Sequence, residues 1–455
     1  MTRPGARAIA ACLLIGLLAS ACGNSTSTST PTTAASTTPP KQGQGGEAKR
    51  DVFVERPGVP GVTDDAIKYT VIGTKTNNPL GICILDCYLD GVKAYFAYRN
   101  SQGGIYGRKL EVGEVVDDEL SSNQQKALDV ISGKDAFGVL EATLLATGWG
   151  DLDQAGVPTY VWGIDSQNAA NRPHIFPSLA VRCDLCPRPS VPYVASKAGA
   201  TRAASVGYGV SENSKQCTKA VAKAFDLYED DSKVELAYTN DDLDYGLPNG
   251  IGPEVTAMKK AGVDFISTCI DLNGMKTLAQ ELHRQGMDDV TLYHPNSYDQ
   301  GAIRQAGDLF EGDVVSVQFR PFEDDAKDTA MADFQHWMRK QGSEPSELAM
   351  TGWLNASMAY DGLLAAGPEF DQQAATDGLN AQTAYTAGGL LEPIDWTKAH
   401  TPYSPDKPEP EPRSCAAFVK VHQGKLVPYD DPAKPWLCWK AGKKVPFTPT
   451  PTDFS

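Results

Sequence analysis

The feature that most constrains this chain is an alternation of short apolar strands with amphipathic helices, which runs through its middle twice. The first pass reads as strand Tyr69–Gly73, then a helix with Val92, Tyr95, Phe96 and Arg99 at helical spacing. Strand Lys109–Val116, helix Asn123–Ser132, strand Phe137–Leu140, helix Leu145–Gln154 and strand Thr159–Trp162 follow. Helix Val191–Lys197 opens the second pass: strand Ala204–Tyr208, helix Lys215–Asp226, strand Val234–Tyr238 and helix Gly252–Lys260. Strand Phe265–Cys269, helix Met275–Gln285 and strand Val290–Tyr293 close it. Strands separated by helices line up in parallel under helical cover. Two such units in tandem imply an α/β protein of two lobes with a cleft between them.

Further on, strand Val314–Val317 precedes helix Ala332–Lys340 and a strong helix marked by Trp353, Ala356, Tyr360, Leu363 and Leu364. Thr401–Arg413 is rich in Pro and charge and reads as an exposed excursion. Ala416–Val421 and Lys425–Val427 flank Gln423-Gly424 as a hairpin. The Pro-rich stretch from Val445 reads as an unstructured tail.

The amino-terminal residues set the compartment. Arg3 and Arg7 precede an apolar run, Ala8–Leu18, too short to span about 30 Å of hydrocarbon. Leu18-Ala19-Ser20-Ala21-Cys22 then places small residues before a cysteine. This is a signal peptide that resembles a bacterial lipobox, with Cys22 as the lipidated first mature residue; plain secretory cleavage after Ala21 is the competing reading. Gly23 to about Arg50 is mostly Ser, Thr, Pro, Gly and Gln. Such a segment cannot bury enough apolar surface to offset its ordering entropy, so it reads as a tether. Some 30–40 residues would hold the folded body roughly 30–40 Å from the lipid.

At 455 residues the chain fits two folded domains. Its 41 basic and 57 acidic side chains give a net charge of −16, with no basic stripe of the kind a nucleic-acid ligand needs. Cys83, Cys87, Cys183, Cys186, Cys217, Cys269, Cys415 and Cys438 remain after Cys12 and Cys22 are set aside. An even number in an exported chain points to disulfides, and nearest-neighbour pairing is the simplest of 105 connectivities. Cys183-Asp184-Leu185-Cys186 has redox and zinc readings as well. However, Pro187 and Pro189 follow it, no helical period begins there, and no second ligand pair lies nearby. No cofactor and no metal is expected.

Gly91-Val-Lys-Ala-Tyr-Phe-Ala-Tyr-Arg-Asn-Ser-Gln-Gly-Gly-Ile-Tyr-Gly-Arg-Lys-Leu110, followed by Asp117-Asp118, carries a specific resemblance. So do Gly138–Trp162, Asp244-Tyr-Gly246, Met258–Phe265 and Leu278–Gly286. The chain resembles the branched-chain-amino-acid type of substrate-binding lipoproteins, which have the type I periplasmic-binding-protein fold. The resemblance implies two lobes, each a parallel sheet flanked by helices, joined by three crossovers near Val181–Val191, Gln318–Phe322 and Thr401–Arg413. The organisation that follows is a signal peptide at 1–21 and a tether at 22–62. Lobe one is 63–185 with 319–400, and lobe two is 186–318 with 401–445. A tail occupies 446–455. The implied function is capture of a small polar solute (amino acid, amine or amide-like) by hinge closure, for delivery to the permease and ATPase of an ABC importer. The protein is then a monomer and not an enzyme, held outside the cytoplasmic membrane by its lipid alone. A ligand sensor of the same fold, signalling to a membrane partner, is the alternative. A thiol oxidoreductase working through Cys183 and Cys186 is a third reading.

Ligands of open α/β sheets lie beyond the carboxyl ends of the strands. The family resembled holds its amino-acid carboxylate with hydroxyls and backbone amides from the third and fourth loops of lobe one. Those loops contain Thr143 and Gly163, with Asp165 where an acid would repel a carboxylate. In lobe two the family's aromatic position falls at Asp271, and its acidic partner of the ammonium falls near Asn296, where this chain has no acid. Asp165 and Asp271 instead suit a cation, amine or hydroxyl. Trp149, Trp162, Tyr208 and Tyr298 are candidates for an aromatic lining. The candidate set is Thr143, Trp162, Gly163, Asp165, Tyr208, Asp271, Asn296 and Tyr298. Each has a structural reading too: Asp271 and Thr143 as helix caps, Asp165 in a turn, Trp162 in the core, and Asp117 and Asp118 as loop supports.

Overall fold

The computed structural model describes residues 51–163, 168–178, 186–295, 297–323, 329–401, 413–440 and 445–455. The expected signal peptide, Cys22 and residues 22–50 of the expected tether lie outside the described residues, as do Cys183, Asp165 and Asn296. The end of the expected tether, 51–62, is instead part of the folded body: Arg56 Nε donates to the Phe370 carbonyl at 2.6 Å, the Gly61 N–H donates to the Lys134 carbonyl at 3.2 Å, and Val59 and Val62 pack against the core.

The first half of the alternation forms β1 (Ala66–Gly73), α1 (Leu85–Ser101), β2 (Lys109–Asp117), α2 (Asn123–Gly133), β3 (Gly138–Ala142), α3 (Trp149–Gln154), β4 (Thr159–Val161) and β5 (Ile175–Pro177). The five strands pair in the order β2-β1-β3-β4-β5, all parallel. The run Ile67, Tyr69, Val71 and Leu140 is buried because helices cover both faces of such a sheet. The helix expected over Leu145–Gln154 begins only at Trp149. Asn123 Oδ1 accepts from the Gly148 N–H at 2.8 Å and fixes the preceding residues as a loop.

The second half forms α4 (Ser190–Lys197), β6 (Arg202–Tyr208), α5 (Glu212–Ser232), β7 (Glu235–Leu243), α6 (Gly252–Lys260), β8 (Phe265–Cys269), α7 (Leu272–Arg284), β9 (Thr291–His294), α8 (Gln300–Ala306) and β10 (Val314–Val317). Four helices follow: α9 (Ala330–Gln341), α10 (Glu347–Ala366), α11 (Gln372–Asn380) and α12 (Trp396–Ala399). The chain ends in β11 (Arg413–His422), β12 (Lys425–Pro428), β13 (Trp436–Lys440) and β14 (Thr450–Thr452). The second sheet runs β7-β6-β8-β9-β10-β11-β13-β14, with β12 also on β11. Pairing is parallel from β7 to β10 and antiparallel from β11 onward. Lobe two is therefore a mixed sheet, not the parallel sheet expected. Only β11 and β12 are joined by a tight turn, which makes them antiparallel neighbours; β10 with β11, β11 with β13 and β13 with β14 pair antiparallel across longer connections.

The chain passes between the two sheets' surroundings three times: from β5 to α4, from β10 to α9, and from α12 to β11. Helix α10 returns to pack on α1. It is apolar around most of its circumference and buried along most of its length, as such a helix must be. Its approach to α1 admits only glycines, because a Cβ on Gly91 would fall 1.7 Å from the Ala349 carbonyl oxygen. A Cβ on Gly352 would fall 2.1 Å from that of Tyr88.

Candidate functional site

The carboxyl tips of the first sheet carry Thr74, Asp117, Asp118, Thr143 and Trp162. The Thr143 hydroxyl donates to Asp118 Oδ2, and both residues are buried. Thr74 Oγ1 accepts from the Leu144 N–H at 3.1 Å, so the loop after β3 is held at its start. One level down, Glu141 Oε1 accepts from Asn123 Nδ2 at 2.6 Å and from Trp149 Nε1 at 3.0 Å. Glu141 is fully buried, and among the described residues its Oε2 has no hydrogen-bond partner. Burial pushes its carboxyl up to about 7, against the pull of the Asn123 and Trp149 hydrogen bonds, and the nearby Asp118 adds to the rise. Asp117 accepts the backbone N–H groups of Lys75, Thr76 and Glu119. This is the loop-supporting reading of that residue. Trp149 belongs to the core beside Glu141, and Trp162 is also packed into the core, 8% exposed. Gly163 ends the tip and is half-buried.

The tips of the second sheet are tied to one another. The Tyr208 N–H donates to Ser214 Oγ at 2.6 Å, and the Ser214 hydroxyl donates to the Cys269 carbonyl. The Cys217–Cys269 disulfide joins α5 to the end of β8 at the same level. Asp271 is the N-cap of α7: its Oδ1 accepts from the Gly274 N–H at 2.9 Å and also from the Tyr208 hydroxyl at 2.6 Å. Burial and the Asp271 carboxylate hold the Tyr208 phenol well above its ordinary range. The Tyr208 ring lies 5.0 Å from that of Tyr245, which is 43% exposed.

Tyr298 is placed differently from the lining expected for it. It is buried, its hydroxyl accepts from the Phe322 N–H at 2.6 Å, and it donates to Glu323 Oε2 at 2.7 Å. Its ring packs on Phe319 and Phe322, so it braces the segment between β10 and α9. Thus the structure brings Tyr208 and Asp271 together, sets Thr143 on the other sheet's tips, and turns Tyr298 toward a crossover. Tyr245 was missed as an aromatic of the site although its Asp244-Tyr-Gly246 motif was noted. It follows the tip of an edge strand, where only pairing geometry tells a lining residue from a loop residue. Ser214 was missed because a serine in a helix's first turn carries no signal for a bond to a distant strand end.

Three expected disulfides, Cys83–Cys87, Cys217–Cys269 and Cys415–Cys438, are present, and Cys186 is disulfide-bonded as well. Among the described residues no group of His, Cys, Asp or Glu is arranged to hold a metal ion. Among them, too, no helix is long and apolar enough to cross a membrane.

A family model described as periplasmic binding protein matches residues 84–425. No curated protein matches the chain. Among solved structures, a branched-chain amino acid ABC transporter protein from Thermus thermophilus with bound valine is 16% identical with a TM-score of 0.61, covering 81% of this chain and 96% of that one. A solute-binding protein of an ABC transporter from R. palustris, in complex with 4-hydroxybenzoate, gives the same identity, TM-score and coverage. A fatty acid ABC transporter substrate-binding protein from Thermomonospora curvata is 16% identical with a TM-score of 0.59, covering 82% of this chain and 93% of that one.

Proposed function

Because the chain belongs to the periplasmic binding protein family, we propose that it is the extracytoplasmic solute-binding lipoprotein of an ABC importer. It is a binding protein, not an enzyme. In this reading Cys22 carries the lipid, the tether spans the gap to the membrane, and the lobes deliver a small polar solute to the permease. Structures of this fold are described with valine and with 4-hydroxybenzoate, so the fold alone does not select the solute. The tip residues of this chain must do so.

One observation carries the choice of solute. Asp271 is fastened through Oδ1 alone, and among the described residues no protein donor reaches its Oδ2. The Thr143 hydroxyl donates its hydrogen bond to Asp118, which leaves its lone pairs to act as acceptors. Both sets of tips thus present acceptors, which suits a solute bearing N–H or O–H groups: an amine, an amide or the ammonium end of an amino acid. The Tyr208–Tyr245 pair adds an aromatic surface favourable to a cation. Thr143, Trp162, Gly163, Asp165, Tyr208, Asp271 and Asn296 are the proposed contact set, with Tyr298 acting through the crossover.

The test is a thermal-shift panel of amino acids, amines, amides, aromatic acids, fatty acids and polyols. A solute at about 100 times its Kd adds roughly 2.7 kcal/mol and raises the melting temperature. Asp271→Asn keeps a good helix cap but loses the charge, so the unliganded protein should melt within a few degrees of wild type. The stabilising amine or amino acid should bind it about tenfold or more weakly. Stabilisation by aromatic or fatty acids alone, or unchanged affinity in the variant, rejects this assignment.

A further inference from the structure

The last eleven residues, expected to be unstructured, are ordered from end to end. The Phe447 ring lies between Tyr193 and Tyr228 on the outer side of lobe two, and its carbonyl accepts from Trp439 Nε1 at 2.9 Å. Strand β14 then adds to the edge of β13, with Thr452 opposite Trp436 and Thr450 opposite Cys438. Phe454 packs on the Trp436 ring.

The remaining contacts leave lobe two. Asp453 forms an ion pair with Arg320, which sits in the crossover between β10 and α9 and is only 2% exposed. The Arg320 N–H donates at 2.8 Å to the carbonyl of Leu390, in a turn between α11 and α12 on the lobe-one side. Gly389 in that turn has φ +93°, and a Cβ there would lie 2.6 Å from the Ser455 Cα. The segment therefore runs from the outer side of lobe two, across the crossover, to lobe one. On the opposite side Tyr298 holds the same crossover through Phe322 and Glu323.

We propose that residues 450–455 are a strap over the second crossover, and that Asp453, acting through Arg320, is a positioning residue for lobe closure. The lobes are joined covalently only where the chain crosses between them. A fourth, non-covalent connection at one of those points biases the open–closed balance, and a solute shifts that balance only by its differential affinity for the two states. The strap therefore tunes solute affinity without touching the solute. The inference deepens the binding-protein reading, yet its test needs neither solute nor transporter.

The full-length chain carries a fluorophore pair at exposed Gln125 in α2 and Lys260 in α6, and transfer efficiency reports the interlobe distance. In Asp453→Asn and in a chain ending at Pro449 the distance distribution should shift or broaden. Amide exchange at 318–322 should rise about tenfold or more, while exchange in β6 and β8 stays at the wild-type rate. Asp453→Glu, which keeps the charge, should restore most of both. A merely structural role would raise exchange throughout the molecule. If the shorter chain does so, Asp453→Asn decides. Wild-type distance and crossover exchange in Asp453→Asn, or global loosening in that variant, overturns the proposal.

Discussion

Among single residues, Glu141 is a carboxyl set in the otherwise apolar run of β3 and fully buried there. It sits in a central strand, where a carboxyl belongs only if partnered, and among the described residues one of its oxygens has no partner. Its carboxyl is raised from 4.5 to about 7. The folded state therefore keeps a proton through a window in which the unfolded chain has lost it. The resulting contribution is fully present below the unfolded value and is lost as pH rises to about 7, a decline of about 3 kcal/mol. Glu141→Gln keeps an acceptor for Asn123 and Trp149 and cannot ionise. Urea unfolding at a series of pH values should show the variant gaining on wild type across that window. A constant difference would place the carboxyl's titration elsewhere. Sequence reasoning could name Asp271 and Tyr208 separately, because strand-tip position follows from the alternation. It could not see that Asp271 Oδ1 is shared between the α7 cap and Tyr208, since that depends on the register of β6 against β8. Tyr298 was misdirected for the same reason: a tip residue can turn inward, and only the crossover beside it decides.

At the scale of elements, the interior strands were legible because both faces are buried and their apolar runs are nearly continuous: Val71-Ile72 in β1, Phe265-Ile266 in β8, Val314-Val315 in β10. The missed elements are short or lie at edges. β5 ends in Pro177, β13 follows a Pro-rich turn, and β14 contains Pro451, which an edge position tolerates. Their order comes from partners distant in sequence. The Cys217–Cys269 bond shows how one such partner stabilises an element. It spans 52 residues and fixes α5 to the tip of β8. Replacing both cysteines with serine should cost about 4 kcal/mol by loop entropy, against about 2 for the short Cys83–Cys87 bond. Equal losses in the two double variants, read by denaturant midpoint, would mean that loop closure is not what these bonds supply.

At the scale of the whole molecule, the two-lobed architecture was readable from the doubled alternation alone, since helices between strands force parallel pairing on each sheet. The antiparallel extension of lobe two was only half readable: the Gln423-Gly424 turn announced β11 and β12, whereas no hairpin-turn signal announced β13 or β14. In the proposed function the lobes close on a small guest held between their strand tips. Small-angle scattering of the full-length chain, with and without the solute that stabilises it most, tests this directly. Closure on a guest predicts one solute per chain and a smaller radius of gyration on saturation. Saturable binding with an unchanged radius, or steady consumption of the solute into product, would contradict it.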